Sequence, residues 1–234
     1  MTRSILSRTI AGAALTLLVG GLALAPAHAT GALTITWQGE IADGQTFVFG
    51  EVPDAPTCTA VDTLAVEAPC TVAGYATTVG THTLTATAIG DDLTTATQSL
   101  SYTVAAWELK GFFAPVKKTP GAWNKAKAGS TVPLKFKVYQ GGTKAKSTSV
   151  VASFTAQQVG CTDLAPIGAP LPVASAGKGF RLKYTNGRFR QNWKTPKVAK
   201  VKTVKGKPVS LPACYVVTMT TQDGSALSAR FILK

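Results

Sequence analysis

The sequence has 234 residues, and its 24 Lys and Arg against 11 Asp and Glu give a formal net charge of +13 at pH 7. With only two His and four Cys, it cannot supply a His-rich metal centre. The length suits two small domains or one large β-sandwich.

The first residues have the features of an export signal. Arg3 and Arg8 precede an apolar run from Ile10 to Leu24, and Ala27-His28-Ala29 has the small-x-small pattern of a cleavage site. The apolar run is shorter than the roughly 20 residues of a membrane span, although an uncleaved anchor is the alternative. We expect residues 1–29 to be removed, leaving a soluble, secreted protein that begins at Thr30.

The four cysteines all lie after the predicted cleavage site, and an even number in an exported chain is typical of disulfides. Four cysteines allow three pairings. If the chain has two domains, one bridge falls in each, and the pairs are Cys58–Cys70 and Cys161–Cys214. Metal binding is the alternative, but no CxxC motif occurs.

Charge divides the chain near Ala106. Residues 30–106 contain no Lys or Arg and carry a formal charge of −8, whereas residues 107–234 carry +19. Such a change at one point indicates a domain boundary. We therefore predict an acidic Ig-like β module over 30–106, an aromatic and Pro-rich connector over 107–127, and a basic β-sandwich over 128–234.

The acidic module contains short β-strands. Segments 81–89 and 95–104 are rich in Thr and flank Gly90-Asp91-Asp92, which predicts a hairpin. Its expected buried stripe is Leu84, Ala86, Ala88, Leu100, Tyr102 and Val104. The run CTVAGYATTVGTHTLTATA resembles the late strands of bacterial Ig-like repeats, which makes Tyr75 a candidate tyrosine corner.

The segment WELKGFFAPVKKTPGAWNKAK (107–127) combines strand breakers with large aromatics. Pro115, Pro120 and Gly121 interrupt regular structure. The aromatic side chains are too apolar for a flexible linker: Trp107, Phe112, Phe113 and Trp123. We expect them to pack on one or both domains, and the alternative is an exposed strip that binds sugar.

In the basic module, the stretch from Ala128 to Val138 alternates strictly. Its apolar positions predict one buried face: Val132, Leu134, Phe136 and Val138. Pro133 cannot donate to a β-ladder, so we place it on an edge or near the strand start.

Turns at Asn186-Gly187 and at residues 222–224 predict two hairpins, and we expect a loop over residues 157–178. Without helical periodicity, the fold class is all-β: two Ig-like β-sandwich modules.

Pro133-Leu134-Lys135-Phe136 within this stretch resembles the signature of the PxKF domain, an Ig-like module of secreted actinobacterial proteins. The resemblance continues through GFFAPV (111–116), QNWKTP (191–196), CYVVTMTTQDGS (214–225) and the terminal ARFILK. It covers most of 107–234 and implies a secreted β-sandwich that works with other extracellular modules. It implies no catalytic residue, and the segment 197–211 is longer and more basic than is usual for the family.

The residue inventory argues against catalysis. After signal cleavage His82 is the remaining imidazole, and we expect it on the strand face opposite the apolar stripe. Gly177-Lys178-Gly179 lacks the spacing of a P-loop, and Asp91-Asp92 lacks the ladder of a calcium loop. We predict no enzyme, no cofactor, no metal site and no small-molecule substrate, with a secreted hydrolase as a remote alternative.

The basic surface is the main functional candidate. On the Asn-Gly hairpin, Arg188 and Arg190 share one strand face, as do Arg181 and Lys183. The candidate anion-binding residues are Lys197, Lys200, Lys202, Lys205, Lys207, Arg181, Lys183, Arg188 and Arg190. A charged surface also serves solubility alone, and that is the competing interpretation.

The sequence therefore predicts an exported, non-catalytic interaction or structural module at or near the cell envelope. The alternative is an electrostatic binder of anionic polymers through the basic module. Its partners would be a wall polymer, an acidic polysaccharide or DNA.

Overall fold

The computed structural model describes residues 32–173, 181–197, 200–201, 209–210 and 212–234. The predicted signal peptide and Gly177-Lys178-Gly179 lie outside these ranges. Within them the chain forms 19 strands and a single 3₁₀ turn, Thr148–Val150, with no α-helix. The all-β prediction is confirmed.

The first sandwich consists of seven strands in two sheets. Its strands are β1 (Thr34–Gln38), β2 (Gln45–Val48), β3 (Thr57–Val61), β4 (Glu67–Ala68), β5 (Cys70–Ala73), β6 (Gly80–Ile89) and β7 (Thr95–Ala105). One sheet has the order β1-β3-β4 and the other β2-β7-β6-β5. Strand β2 runs parallel to β7, and every other neighbouring pair is antiparallel.

The β6–β7 hairpin supplies the core of the first sandwich. The six residues of the predicted stripe are all buried, as period-two alternation requires. Ile41 is buried in the same cluster, which Trp37, Phe47 and Val72 cover in part.

Two details of this sandwich differ from the sequence interpretation. His82 has the same parity as Leu84 and therefore lies on the apolar side, where its ring centroid is 5.4 Å from that of Tyr102. Its Nε2 lies 2.6 Å from the Thr78 carbonyl.

The Tyr75 hydroxyl donates to the carbonyl of Pro53, 22 positions upstream. That contact spans more than the few residues that a tyrosine corner bridges.

Twelve further strands follow, most of them in the second sandwich. They are β8 (Glu108–Phe113), β9 (Trp123–Ala126), β10 (Thr131–Gln140), β11 (Thr143–Lys144), β12 (Val151–Val159), β13 (Pro166–Pro172), β14 (Lys183–Thr185), β15 (Arg188–Lys194), β16 (Lys200–Val201), β17 (Val209–Ser210), β18 (Ala213–Thr221) and β19 (Ala226–Leu233).

The strand order of the second sandwich is that of an immunoglobulin domain. One sheet runs β8-β10-β15-β14, with β11 also on β10, which matches strands A, B, E and D. The other runs β9-β19-β18-β12-β13 and contains the C-F-G set as β12, β18 and β19. Strands β16 and β17 pair with each other and, among the residues that the structure describes, with no other strand. The chain is thus built from two Ig-like β-sandwiches.

Strand β10 places its apolar side chains at the centre of the second core. All four predicted positions are buried, and Leu134, Phe136 and Val138 are fully so. Phe136 stacks on Phe189 of β15 with a centroid distance of 5.2 Å. Pro133 is the third residue of β10 and precedes its pairing with β8, as expected for a residue without an N–H.

Two segments predicted to be irregular contain strands. The connector over 107–127 includes β8 and β9, because Pro115 and Pro120 lie between these strands and not inside them. The predicted loop over 157–178 includes the end of β12 and the edge strand β13. An edge strand tolerates prolines, since the side that faces no neighbour needs no donors.

Each sandwich has one disulfide. Cys58 on β3 bonds Cys70 at the start of β5, and Cys161 after β12 bonds Cys214 on β18. The pairs are those expected for one bridge in each module. Cys58–Cys70 joins the two sheets of the first sandwich.

Trp107 connects the two sandwiches. Its indole N–H donates to the Phe49 carbonyl at 3.0 Å, and its ring meets that of Phe49 edge to face. Its backbone N–H donates to Asp223 Oδ2 in the β18–β19 turn at 2.7 Å. A methyl group at Gly141 would lie only 2.9 Å from a methyl of Val48, so the backbones are close there too. We call these contacts the junction.

Asp223 is ionised within the junction. Burial by itself raises the pKa of its carboxyl. Hydrogen bonds from the Thr221 and Ser225 hydroxyls and from the backbone N–H groups of Trp107 and Ser225 outweigh that effect, so the net pKa lies below its usual 3.8. The charged carboxylate therefore stabilises the junction.

We expect Asp223→Asn to destabilise the protein by about 2 kcal/mol at neutral pH, because the carboxylate accepts charge-assisted hydrogen bonds. Since the folded pKa is depressed, this contribution is present above the unfolded value and is lost as the pH falls through the folded pKa. Thermal unfolding from neutral pH to about pH 3 measures the difference, which should shrink in acid. Asp163→Asn, at an exposed turn, is the control; a constant difference across this range would contradict the assignment.

We expect removal of the Cys161–Cys214 bridge by paired Ala substitutions to cost more stability than removal of Cys58–Cys70. The bridges close loops of 53 and 12 residues. In the chain-entropy model the losses are about 4 and about 3 kcal/mol. Denaturant unfolding under non-reducing conditions measures both, and the reverse order would show that loop entropy does not govern their contributions.

Candidate anion-binding face

The outward side of the β8-β10-β15-β14 sheet carries a row of cations. Lys135 of β10 lies opposite Arg190 of β15, and Arg190 lies opposite Lys183 of β14. On the other side of Lys135, its partner on β8 is Phe113. Residues directly opposite in antiparallel strands share a face, so one row crosses four strands over about 14 Å.

A second set of cations surrounds the Phe113 ring. The Arg188 guanidinium lies 4.7 Å from the ring centroid, and the ammonium groups of Lys118 and Lys137 lie 5.6 Å and 5.8 Å from it. All three are within the range of cation–π attraction. The ring therefore draws together positive groups from β10, β15 and the segment after β8. We define the cationic face as Phe113, Lys135, Lys137, Lys183, Arg188 and Arg190.

Acidic side chains do little to neutralise this face. Residues 107–234 contain three acids. Asp223 lies in the junction, and Asp163 follows β12 of the opposite sheet. Glu108 pairs with Lys110 at 3.0 Å, and both are exposed. A hydrogen bond and the charge of Glu108 raise the pKa of Lys110. The cationic face thus keeps its positive charge.

The core side of the same strands fixes where these charges lie. Phe136 stands between Lys135 and Lys137 in the sequence, and Phe189 stands between Arg188 and Arg190. Both Phe side chains are completely buried. Alternation then directs the cations outward.

Like charges opposite each other in a sheet repel and destabilise the sheet. A cleft of about 390 Å³ lies among Lys135, Thr185, Asn186, Arg188 and Arg190.

The structure brings together some of the sequence-predicted anion-binding residues and not others. Lys183, Arg188 and Arg190 lie on the cationic face, and Arg181 is exposed two residues before β14. Lys197 is exposed after β15, near Gly129. Lys200 lies in β16, whose side chains are not described. Lys202, Lys205 and Lys207 lie outside the described residues.

Sequence reasoning missed Lys135, Lys137 and Phe113. Alternation did assign both lysines to the polar side of β10. What it lacked was the register between β10 and β15, which joins residues 55 positions apart at Lys135 and Arg190. Such long-range pairing has no local signal, whereas the Asn186-Gly187 hairpin does.

The aromatic side chains of segment 107–127 were expected either to pack on the domains or to form an exposed sugar-binding strip. Trp107 and Phe112 are buried, as expected for packing. Phe113 and Trp123 are half-buried, and cations cover their outward sides; the Arg230 guanidinium lies 6.0 Å from the Trp123 centroid. They form no continuous exposed strip.

The described ranges also bear on metal binding and on membrane insertion. No three His, Cys, Asp or Glu side chains there lie close enough together to hold a metal ion. No helix in that part of the chain has the length and apolar character needed to cross a membrane.

No protein-family model and no curated protein matches the sequence. Among solved structures, the chain is similar to titin Ig tandem domains A164–A165 (13% identity, 87% of this chain and 96% of that one, TM-score 0.24). It is also similar to three N-terminal domains of the bacteriophage RB49 outer capsid protein Hoc (12%, 86% and 69%, 0.27). A Bacteroides ovatus glucan-utilisation protein, SGBP-B, solved with a mixed-linkage heptasaccharide, gives 13% identity and a TM-score of 0.19, and the chain spans 37% of its length. At these values the similarities carry no conclusion about family or activity.

We expect Arg190→Gln to raise the free energy of unfolding by about 0.2–0.5 kcal/mol at low salt, because Arg190 lies between two like charges. The gain should shrink at high salt, where the repulsion is screened. Denaturant unfolding at two salt concentrations measures it. Lys125→Gln, an exposed cation of β9 in the opposite sheet, is the matched control. A loss of stability at low salt would show that Arg190 has a structural role.

Proposed function

We propose that this protein is an exported, non-catalytic interaction module that acts at or near the cell envelope and binds anionic polymers through the cationic face. The row formed by Lys183, Arg190 and Lys135 is the observation that carries the proposal. The second sandwich, in this proposal, is a PxKF-type domain that extends over about 107–234 and so includes β8 and β9.

Export is supported by two features. The N-terminal sequence has the pattern of a cleavable signal. Each sandwich is closed by a disulfide, which persists in oxidising compartments.

Sulfate, phosphate or carboxylate groups repeated along a polymer are the ligands that suit the cationic face. Neighbouring strands lie about 4.8 Å apart, so cations at paired positions on them can contact one extended chain. Each contact releases counterions from the polymer, which makes binding strong at low salt and weak at high salt. Contacts of this kind position a polymer without reading its sequence.

The stability cost of the row also favours binding over solubility alone. Charges placed for solubility need no register across a sheet, and dispersed cations avoid repulsion. Here three strands place cations in one line, and burial of Phe136 next to Lys135 and of Phe189 next to Arg190 fixes the backbone positions of that line. Because the backbone is already fixed, binding orders only the cationic side chains.

A non-catalytic role agrees with the surroundings of His82. Its ring contacts Tyr102, and its Nε2 is engaged by the Thr78 carbonyl. A Ser-His-Asp or Cys-His hydrolase would need this imidazole to activate its nucleophile. Unchanged behaviour of His82→Ala in binding is therefore expected.

We expect purified protein to be retained on an immobilised DNA duplex of mixed sequence, and on a teichoic-type polymer of glycerol phosphate, at low salt. Retention should fall steeply with salt, because it depends on released counterions. Replacing Lys135, Lys183 and Arg190 together with Gln should lower the salt concentration needed for elution.

The matched control replaces three exposed cations on or beside β9 and β19 of the opposite sheet, Lys125, Lys127 and Lys234. This variant has the same net charge as the test variant. Equal retention of the two variants would show that total charge, not the cationic face, governs binding. Salt-independent retention of the wild type would reject the electrostatic mechanism.

A further inference from the structure

The first sandwich has a groove at the end farthest from the junction. Two turns form it, one between β3 and β4 (residues 62–66) and one between β6 and β7 (residues 90–94). It has a volume of about 600 Å³. Strand β7 runs from this end at Thr95 to the junction side at Ala105, a distance of about 33 Å. We call the groove and its two turns the acidic tip.

Apolar side chains at the acidic tip are unusually exposed. Leu93 is 82% exposed, Leu64 is 76% exposed and Val66 is 51% exposed. Leu93 also has a positive φ of 63°, where Gly or Asn is favoured and a leucine costs stability. Neither folding nor solubility explains a leucine at that position. Exposed apolar groups rimmed by polar ones mark interaction surfaces.

The charge of the acidic tip is entirely negative. Asp62, Glu67, Asp91 and Asp92 line the groove, and residues 30–106 contain no Lys or Arg. The Asp62 carboxylate accepts hydrogen bonds from the backbone N–H groups of Leu64 and Val66, both at 2.8 Å. Asp92 accepts from the Thr94 N–H and hydroxyl. These bonds hold the carboxylates and the leucines in fixed turns.

We propose that the acidic tip docks on the cationic face of a second copy of this chain. Charge complementarity identifies the occupant: carboxylates surrounding an apolar groove meet cations surrounding the Phe113 ring. Complementary charge steers the encounter and sets orientation, while the apolar groups bury surface. The proposal uses the same cationic face as the proposed function.

The junction keeps the acidic tip of one copy away from its own cationic face. Strand β10 ends at Gln140, and the next residue, Gly141, contacts Val48 of the first sandwich. The cationic face therefore begins on the far side of the junction, while the acidic tip lies about 33 Å away on the near side. A tip on one copy and a face on the next make a heterologous contact, which generates head-to-tail chains or rings.

Polymer binding and self-association then compete for one surface. The acidic tip presents carboxylates to the cations that a polyanion would contact. A polyanion added to associated protein should dissociate it into monomers, and high salt should do the same by screening charge beyond about 8 Å.

Sedimentation velocity of the purified protein over a concentration series at low and high salt tests the proposal. We expect the average mass to rise with concentration at low salt and to return to that of the monomer at high salt or with added DNA duplex. Leu93→Asn, which suits a positive φ, and Asp91→Lys should each stay monomeric. Asp54→Lys, an exposed acid of the same module outside the groove, should associate like the wild type.

A charge exchange completes the test. Arg190→Glu should abolish association, and the double variant Asp91→Lys with Arg190→Glu should regain it, because each reversed tip meets a reversed face. A wild type that stays monomeric at every concentration overturns the proposal. Loss of association in Asp54→Lys equal to that in Asp91→Lys also overturns it, as does failure of the double variant to associate. Leu93→Asn should still bind DNA; association lost with DNA retention kept separates this proposal from the proposed function.

Discussion

Burial of one side of β10 is the constraint on which the second sandwich depends. Phe136 stacks on Phe189 between the two sheets, and removing both rings from water stabilises the fold. Because side chains alternate along a strand, burying these rings fixes Lys135 and Arg190 on the outer surface in register. The hydrophobic core and the cationic face are therefore two results of one alternation.

The junction gives these charges a fixed place relative to the first sandwich. Trp107 donates one hydrogen bond to a carbonyl of the first sandwich and another to a buried carboxylate of the second. Four donors surround the Asp223 carboxylate and hold its pKa below the usual value against the effect of burial, so its charge belongs to the hydrogen-bonded junction and not to the open surface. The two oppositely charged regions consequently lie on either side of the junction.

Local patterns predicted what depends on neighbours in sequence: the hairpins at Gly90 and Asn186 and the buried stripes of β6, β7 and β10. They failed where distant pairing decides. Segment 107–127 was interpreted as a connector because its prolines were visible while its partners, β10 and β19, were not. The cationic row was only half predicted for the same reason. His82 was assigned to the wrong face although its parity with Leu84 was readable.

The proline-rich edge strand β13 has a consequence for the protein among its own copies. Its exposed Ile167 and Leu171 would make an open edge adhesive, and strands added there would extend the sheet from chain to chain. Pro166, Pro170 and Pro172 lack the N–H groups that such an added strand would need. Addition of a strand from another copy is thus disfavoured at this edge, so the apolar side chains of β13 can be exposed without templating an intermolecular sheet.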